Sequence, residues 1–353
     1  MEPEMNLPPT PAEAPDAAAP LLLIPAPAAP EPPETRILKM VFLGPNGLRA
    51  GWSIAIWLIL VILIAAVPIS IISAIHHSSG KRPDMATLTP VSTIVNDGVQ
   101  FFGILGATLI MALIERRRIT AFFLGGPRPI RNFVWGLLGG FGTLSLLIGF
   151  LYLGNLITFG PVALSGSAIW QNAVLWGIGF LLVGLTEEGM MRCYLLFSLK
   201  RGFSFSAWSF WIAATISSIL FALIHMGNPG ESAFGIFCVF AIGMVFCASV
   251  RWTGSLWWAI GYHAAWDWAQ TYFYGTADSG LIAKGHYLTT APTGNPLWSG
   301  GSVGPEGSYL IAPVIAITAL GLWLAWGRNA APEIPPAAPP PPAQTTPEPT
   351  ALG

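Results

Sequence analysis

Eight apolar runs, each close to the length that crosses a bilayer, fill most of the chain between residues 51 and 327 and leave few folds open to it. A hydrocarbon core about 30 Å thick is spanned by roughly 20 residues of helix. No water is available there, so a run of this length satisfies its backbone N–H and C=O groups internally, as a helix. The runs lie near residues 51–75, 98–114, 133–159, 173–198, 207–226, 233–250, 255–274 and 308–327. They predict an all-α, polytopic membrane protein with about eight transmembrane helices in one bundle, forming a domain over 36–331. Composition agrees: 53% of residues are hydrophobic, only 9% are charged, and there are 15 tryptophans.

The ends differ in kind. Residues 1–35 and 332–353 are rich in Pro and Ala and cannot bury enough apolar area to offset chain entropy, so both are expected to be disordered tails. No cleavable signal opens the chain, because its first residues lack a basic segment followed by a long apolar one. A net charge of −1 supplies no field for nucleic acid, which is set aside as a partner. Cys193, Cys238 and Cys247 lie in apolar runs without metal-ligand spacing and read as small buried hydrophobes.

Orientation follows from the basic residues. With the amino terminus inside, 12 of the 16 Lys and Arg fall on the cytoplasmic side, among them Arg116, Arg117 and Arg118. Lys81, Arg82 and Lys284 fall outside, and Arg192 lies within a run. This bias places both termini in the cytoplasm. The connection from 275 to 307, rich in Gly, Ser, Thr and Pro, reads as an external loop.

Ionisable groups inside such runs need a reason, since each costs about 2.5–3.5 kcal/mol at a helix centre on insertion scales. Glu187, Glu188 and Arg192 share the fourth run, His225 closes the fifth, and His263 and Asp267 sit four apart in the seventh. Glu188 and Arg192, also four apart, share a helix face in the favourable order for an ion pair. Glu187 points about 100° away from Glu188 and is left for chemistry. Phe221 shares a face with His225. Were these three helices to adjoin, carboxylates and imidazoles would meet in a polar pocket with apolar walls. Such a set can activate water: Glu187, aided by His225, takes the proton while the oxygen attacks a peptide carbonyl. His263 donates to the developing oxyanion, and Asp267 holds the His263 ring in its donating orientation.

The segments Glu187-Glu188-x-x-x-Arg192, Phe221-x-x-x-His225 and His263-x-x-x-Asp267 resemble, in order and spacing, the motifs of the CPBP family of intramembrane proteases. That family includes the type II C-a-a-X prenyl endopeptidases and bacterial relatives of the bacteriocin self-immunity type. The resemblance covers roughly 170–275, an expected catalytic core. It implies a glutamate-dependent endopeptidase in an eight-helix bundle, with Glu187 and His225 as the water-activating pair and His263 and Asp267 on the oxyanion side. Glu188, Arg192 and Phe221 are then supporting residues, and no cofactor or metal is expected. The expected partners are the bilayer and a hydrophobic or membrane-anchored peptide. Compact loops and Ala/Pro tails suggest a bacterial inner membrane, and nothing in the sequence fixes the oligomeric state.

Three other readings stay open. Glu187, His225 and His263 are the right types for a three-ligand zinc site, although the spacing is not H-E-x-x-H. Buried carboxylates also serve as relays in proton-coupled transporters, although no internal repeat is evident. The third is a non-catalytic immunity or scaffold protein that retains the constellation.

Overall fold

A computed structural model describes residues 33–44, 47–79 and 87–330. The expected tails lie outside the described residues, except that 33–35 open a short helix, α1 (Pro33–Phe42). The division into two compact units falls at Val41, one residue before this helix ends, and the chain from Phe42 onward forms the second unit.

The second unit is mostly helical. It comprises α2 (Ala50–Ser79), α3 (Pro90–Ile114), α4 (Pro129–Leu153), α5 (Ser167–Glu188), α6 (Leu196–Gly202), α7 (Ser209–Ile224), α8 (Ala233–Thr253), α9 (Trp257–Asp267), the single turn α10 (Pro296–Ser299) and α11 (Ile311–Ala325). A π-helical turn, Gly189–Leu195, joins α5 to α6 without a break, and a second, Trp268–Phe273, extends α9. Large apolar side chains such as Ile62, Leu113 and Ile130 lie on the outer surface, as lipid-facing residues do. This is the fold of a polytopic helical membrane protein.

The count of spans is corrected from eight to six. Among the described residues, six helices are long and apolar enough to cross a membrane: Ala50–Ile75, Pro90–Ile114, Pro129–Leu153, Ser167–Gly202, Ser209–Gly227 and Ala233–Thr253. The seventh expected run is α9, with 11 α-helical residues and a six-residue π-helical extension, and the eighth is α11, with 15 residues. Both fall short of the roughly 20 residues that cross lipid alone, although α9 with its extension still carries the chain from Gly254, beside the start of α4, to the connection paired with Ile157–Val162 beyond its end. A helix enclosed by protein has no need to match lipid thickness, and α9 is largely enclosed, with Trp258, Ala259, Ile260, Gly261, Tyr262 and Ala264 all buried.

The second span also starts earlier than expected, at Pro90 rather than near 98. Thr89 and Ser92 form a reciprocal capping box and Pro90 occupies the first turn, both strong start signals. Asp97 therefore lies inside the helix rather than on its flank.

Small residues set the position of α9. Cβ atoms added at Gly136 and Gly140 of α4 would overlap the carbonyl oxygens of Trp258 and Tyr262, and one at Gly261 would overlap that of Phe133. The two backbones touch because nothing stands between them. Tyr262 then hydrogen-bonds Thr143 of α4 at 2.6 Å and Thr318 of α11 at 3.2 Å.

The 275–307 connection has structure of its own. Leu288–Pro292 pairs antiparallel with Ile157–Val162, and Thr87–Leu88 pairs in parallel with Ile282–Ala283. Gly275, at φ +64°, turns the chain out of the π-helical segment against Leu288.

Candidate active site

Glu187 and Glu188 end α5, and the π-helical turn begins at the next residue. Such turns insert an extra residue, re-aim side chains and occur often at functional sites. Here the turn still lets Arg192 Nη1 donate to Glu188 Oε1 at 3.1 Å, with both side chains fully buried. The Arg192 guanidinium lies 4.1 Å from the centre of the Phe221 ring and 5.5 Å from that of Phe246. These ring faces supply attraction that water cannot reach to supply. Phe221, on the Phe-x-x-x-His motif, thus packs on the arginine. Ser217 Oγ donates to the Met191 carbonyl at 2.8 Å and ties α7 to the turn.

His263 on α9 sits among three carboxylates. Its Nδ1 is 3.0 Å from Glu188 Oε1, while Nε2 is 3.7 Å from Glu187 Oε2 and 3.5 Å from Asp267 Oδ2. A carboxylate only accepts, so Nδ1 carries a proton and donates to Glu188. Glu188 therefore has the shortest contact with the ring, closer than Asp267, to which the sequence assigns its orientation. Phe246 stacks on the imidazole at 5.8 Å between centres. Glu187 keeps 28% of its side chain exposed, whereas Glu188 has none.

His225 follows α7 in a short 3-10 turn. Its Nδ1 lies 2.7 Å from the Phe221 carbonyl, and its ring meets the Phe221 ring at 4.6 Å. It lines one cavity with Phe221, His263 and Asp267. All seven residues singled out in the sequence are joined by these contacts or this cavity. Glu187, Glu188, Arg192, His263 and Asp267 form a chain of ionisable neighbours, and His225 comes to it through Phe221.

Three acids reach this neighbourhood that the sequence reading did not assign to it. Asp97 of α3 interacts electrostatically with Glu187 and His263, and its backbone carbonyl accepts from Thr186 Oγ1 at 3.1 Å. Asp278 and Glu306, the only acids between 275 and 307, line the cavity from the outer connection. Gln270, in the π-helical turn after Asp267, holds this connection down. Its amide donates to the Ala277 carbonyl at 2.8 Å and to Glu306 Oε2, and its carbonyl accepts from Trp266 Nε1 at 2.9 Å. Ser279 N–H donates to Glu306 Oε1 at 2.7 Å, and Thr271 Oγ1 to Asp278 Oδ2 at 2.8 Å. Burial pushes the Asp278 carboxyl up and the Glu306 carboxyl well up from their ordinary values, and the charge of Asp278 adds to the effect on Glu306. The only hints in the sequence were a glutamine inside an apolar run and two isolated acids in a Gly/Ser-rich connection.

With this geometry in place, comparison with known families bears on the central segment. Residues 168–269 match the type II CAAX prenyl endopeptidase Rce1-like family model. The match runs from the first turn of α5 into the π-helical turn after α9 and contains Glu187, Glu188, Arg192, Phe221, His225, His263 and Asp267. It agrees with the resemblance drawn from the three motifs and supports, in general terms, a membrane-embedded protease of the CAAX type. No curated protein and no solved structure matches the chain. Asp97, Asp278 and Glu306 lie outside the segment matched by the Rce1-like model. Among the described residues, no group of three or more His, Cys, Asp or Glu side chains is arranged to hold a metal ion.

Proposed function

We propose that this protein is an intramembrane endopeptidase in which Glu187 activates water for attack on a peptide bond. The supporting observation is the convergence of Glu187 Oε2 and Asp267 Oδ2 on His263 Nε2, at 3.7 and 3.5 Å. These separations exceed a good hydrogen bond and leave no room for a water between the atoms, so the attacking water is placed beside them, within reach of Glu187 and His263 together. The water oxygen bonds to the carbonyl carbon as its proton passes to Glu187. When the tetrahedral intermediate collapses the C–N bond breaks, and the proton moves from Glu187 to the departing nitrogen.

The two imidazoles take different parts. His225, with Nδ1–H donating to the Phe221 carbonyl, keeps its lone pair on Nε2 and assists proton transfer. His263, held at Nδ1 by Glu188, presents Nε2 to the oxyanion. As an imidazolium it has Glu188, Asp267 and Glu187 as countercharges. Glu188 and Arg192 position that ring and do not touch the reacting atoms.

The connections at 227–232 and 275–307 line the cavity through Glu231, Asp278, Ser279 and Glu306. In the charge-biased topology these lie opposite the Arg116–Arg118 face, so a peptide approaches from the side away from the basic residues. The protein then sits in a bacterial inner membrane with both termini cytoplasmic, and its substrate is a hydrophobic or membrane-anchored peptide. Glu187→Gln keeps the shape and removes the base, a loss of about 10²–10⁴ in rate. Comparing membrane proteomes of cells carrying native and Glu187→Gln protein should show uncleaved precursors accumulating only with the variant. Equal processing by both, at equal protein levels, would overturn the assignment.

A further inference from the structure

Helix α3 changes character along one face. Its exposed apolar side chains Val91, Val95, Phe102, Leu109 and Leu113 fall within an arc of about 40° and mark the side turned to lipid. Asn96, Asp97 and Gln100 lie more than about 100° from the middle of that arc, in the sector that also holds Ile104, Ala107 and Met111. Those last three are buried, at 5%, 0% and 0% exposed. Asn96 and Gln100, one to two turns nearer Pro90 in the same sector, are exposed. The inward face of α3 is thus packed toward Ile114 and open toward Pro90, the end away from Arg116–Arg118.

The open part adjoins Glu187. Asp97 interacts electrostatically with Glu187 and His263, and its carbonyl accepts from Thr186 Oγ1 at 3.1 Å, which fixes this stretch of α3 beside the end of α5. Among the described residues, neither the Asn96 nor the Gln100 amide has a hydrogen-bond partner. A primary amide in a membrane-spanning segment is costly unless its oxygen finds a donor and its nitrogen an acceptor. The spacing of the two amides points to what supplies them. Residues four apart on a helix are separated by about 6 Å along its axis. An extended peptide presents main-chain groups to one side at every second residue, about 6.6–6.8 Å apart. Drawn into an apolar bundle, such a peptide carries N–H and C=O groups that water no longer satisfies. Each side therefore supplies what the other lacks.

We propose that the Asn96–Gln100 stripe of α3 is a docking strip for the main chain of an extended peptide substrate, which it lays beside Glu187. The assignment deepens the protease reading and rests on it. Each side-chain amide donates to a peptide carbonyl and accepts from a peptide N–H, on alternate residues of the substrate. Recognition of this kind reads the backbone and tolerates varied side chains.

The test uses the full chain in proteoliposomes and an acyl-anchored hydrophobic peptide that the native protein cleaves, with each backbone nitrogen methylated in turn except that of the cleaved bond. Methylation removes one N–H and leaves every side chain in place. In the native protein two positions, two residues apart, should be sensitive, each losing about fivefold in kcat/KM, the factor expected for one hydrogen bond. Gln100→Met and Asn96→Leu remove the amides at similar volume. Each should lower kcat/KM for the unmethylated peptide by about fivefold and shrink the methylation penalty at one of the two positions to within about twofold, a coupling that a structural role alone would not produce. Penalties identical in the native protein and both variants, or no pair of sensitive positions at this spacing, overturn the strip. Loss of self-association in Gln100→Met, read by cross-linking, with the penalties unchanged, also overturns it and makes the stripe a contact between copies. If a variant does not accumulate, the methylation scan of the native protein decides. If the native protein cleaves no peptide, binding of the same methylated set is compared by displacement of a fluorescent peptide. A spaced pair of sensitive positions that the variants abolish then upholds the strip and counts against the hydrolase, and uniform binding overturns the strip.

Discussion

Replacing Arg192 with Ala should damage this protein far more than replacing Glu187 with Gln, although the two residues are only five apart. Arg192 and Glu188 are both fully buried, and among the described residues their 3.1 Å contact is the one in which Glu188 meets a permanent cation. Removing one member of a buried pair costs about 3–5 kcal/mol where the other charge is left uncompensated, and because His263 Nδ1 still donates to Glu188 at 3.0 Å the lower end applies here. The packing of the guanidinium on Phe221 at 4.1 Å is lost with it and is included in that figure. A 3 kcal/mol loss lowers the folded-to-unfolded ratio by more than about a hundredfold. Glu187→Gln is isosteric at a partly exposed side chain without a direct hydrogen bond to a cation, so its effect on stability should stay near about 1 kcal/mol or less. Quantifying protein in isolated membranes, together with thermal unfolding in detergent, separates the two. Combining Arg192→Met with Glu188→Gln removes both charges and should recover most of the loss, because the penalty lies in the stranded carboxylate. Equal levels and equal melting for Arg192→Ala and Glu187→Gln would refute this reasoning, as would a double variant no better than Arg192→Ala alone.

Two further outcomes follow from the same contacts. Gly243→Ala would place a Cβ 2.9 Å from Arg192 Nη2 and 3.2 Å from Ser218 Oγ. The guanidinium must shift against Glu188, so peptidase activity should drop with a stability change of about 1–2 kcal/mol, read by cleavage rate and melting together. The outer connection should also loosen as pH rises. Glu306 and Asp278 bind protons more tightly folded than unfolded, so the stability they lend is full below the ordinary carboxylate range and falls as pH climbs toward their raised values. The groups acting on them include His263 and Glu187 across the cavity, Gln270, Thr271 and Ser279 as donors, and each other. Hydrogen exchange over 275–308, corrected for intrinsic rates, should report easier opening at about pH 8 than at about pH 5. A flat or opposite trend would contradict it.

How much of this could be read from the chain depended on the kind of signal. Apolar runs of bilayer length gave the membrane class and placed most of the helices, because backbone satisfaction in lipid admits few alternatives. The motif residues were legible for the complementary reason: a charge inside such a run is expensive and stands out, as Glu188, Arg192 and Asp267 do. Span counting failed for α9 and α11, where hydropathy reports only that a run is apolar. It does not report whether protein or lipid surrounds that run. Glycines such as Gly136 and Gly140 on α4 permit a close helix contact, yet which helix filled the groove was a tertiary fact.

The residues that escaped notice share one property: they lie where polarity is ordinary. Asp97 was taken for the flank of a short span because it stands immediately before the run placed at 98–114, although Thr89, Pro90 and Ser92 already carried the start of the helix. Asp278 and Glu306 occur in a polar connection, where an acid costs nothing in sequence terms. Their cost appears only when Gln270 draws that connection over the end of α9 and burial raises both carboxyls. An intramembrane site is thus written in two registers. Groups supplied by helices are visible as violations of apolar pattern, whereas those supplied by connections become visible only once the fold has removed their water.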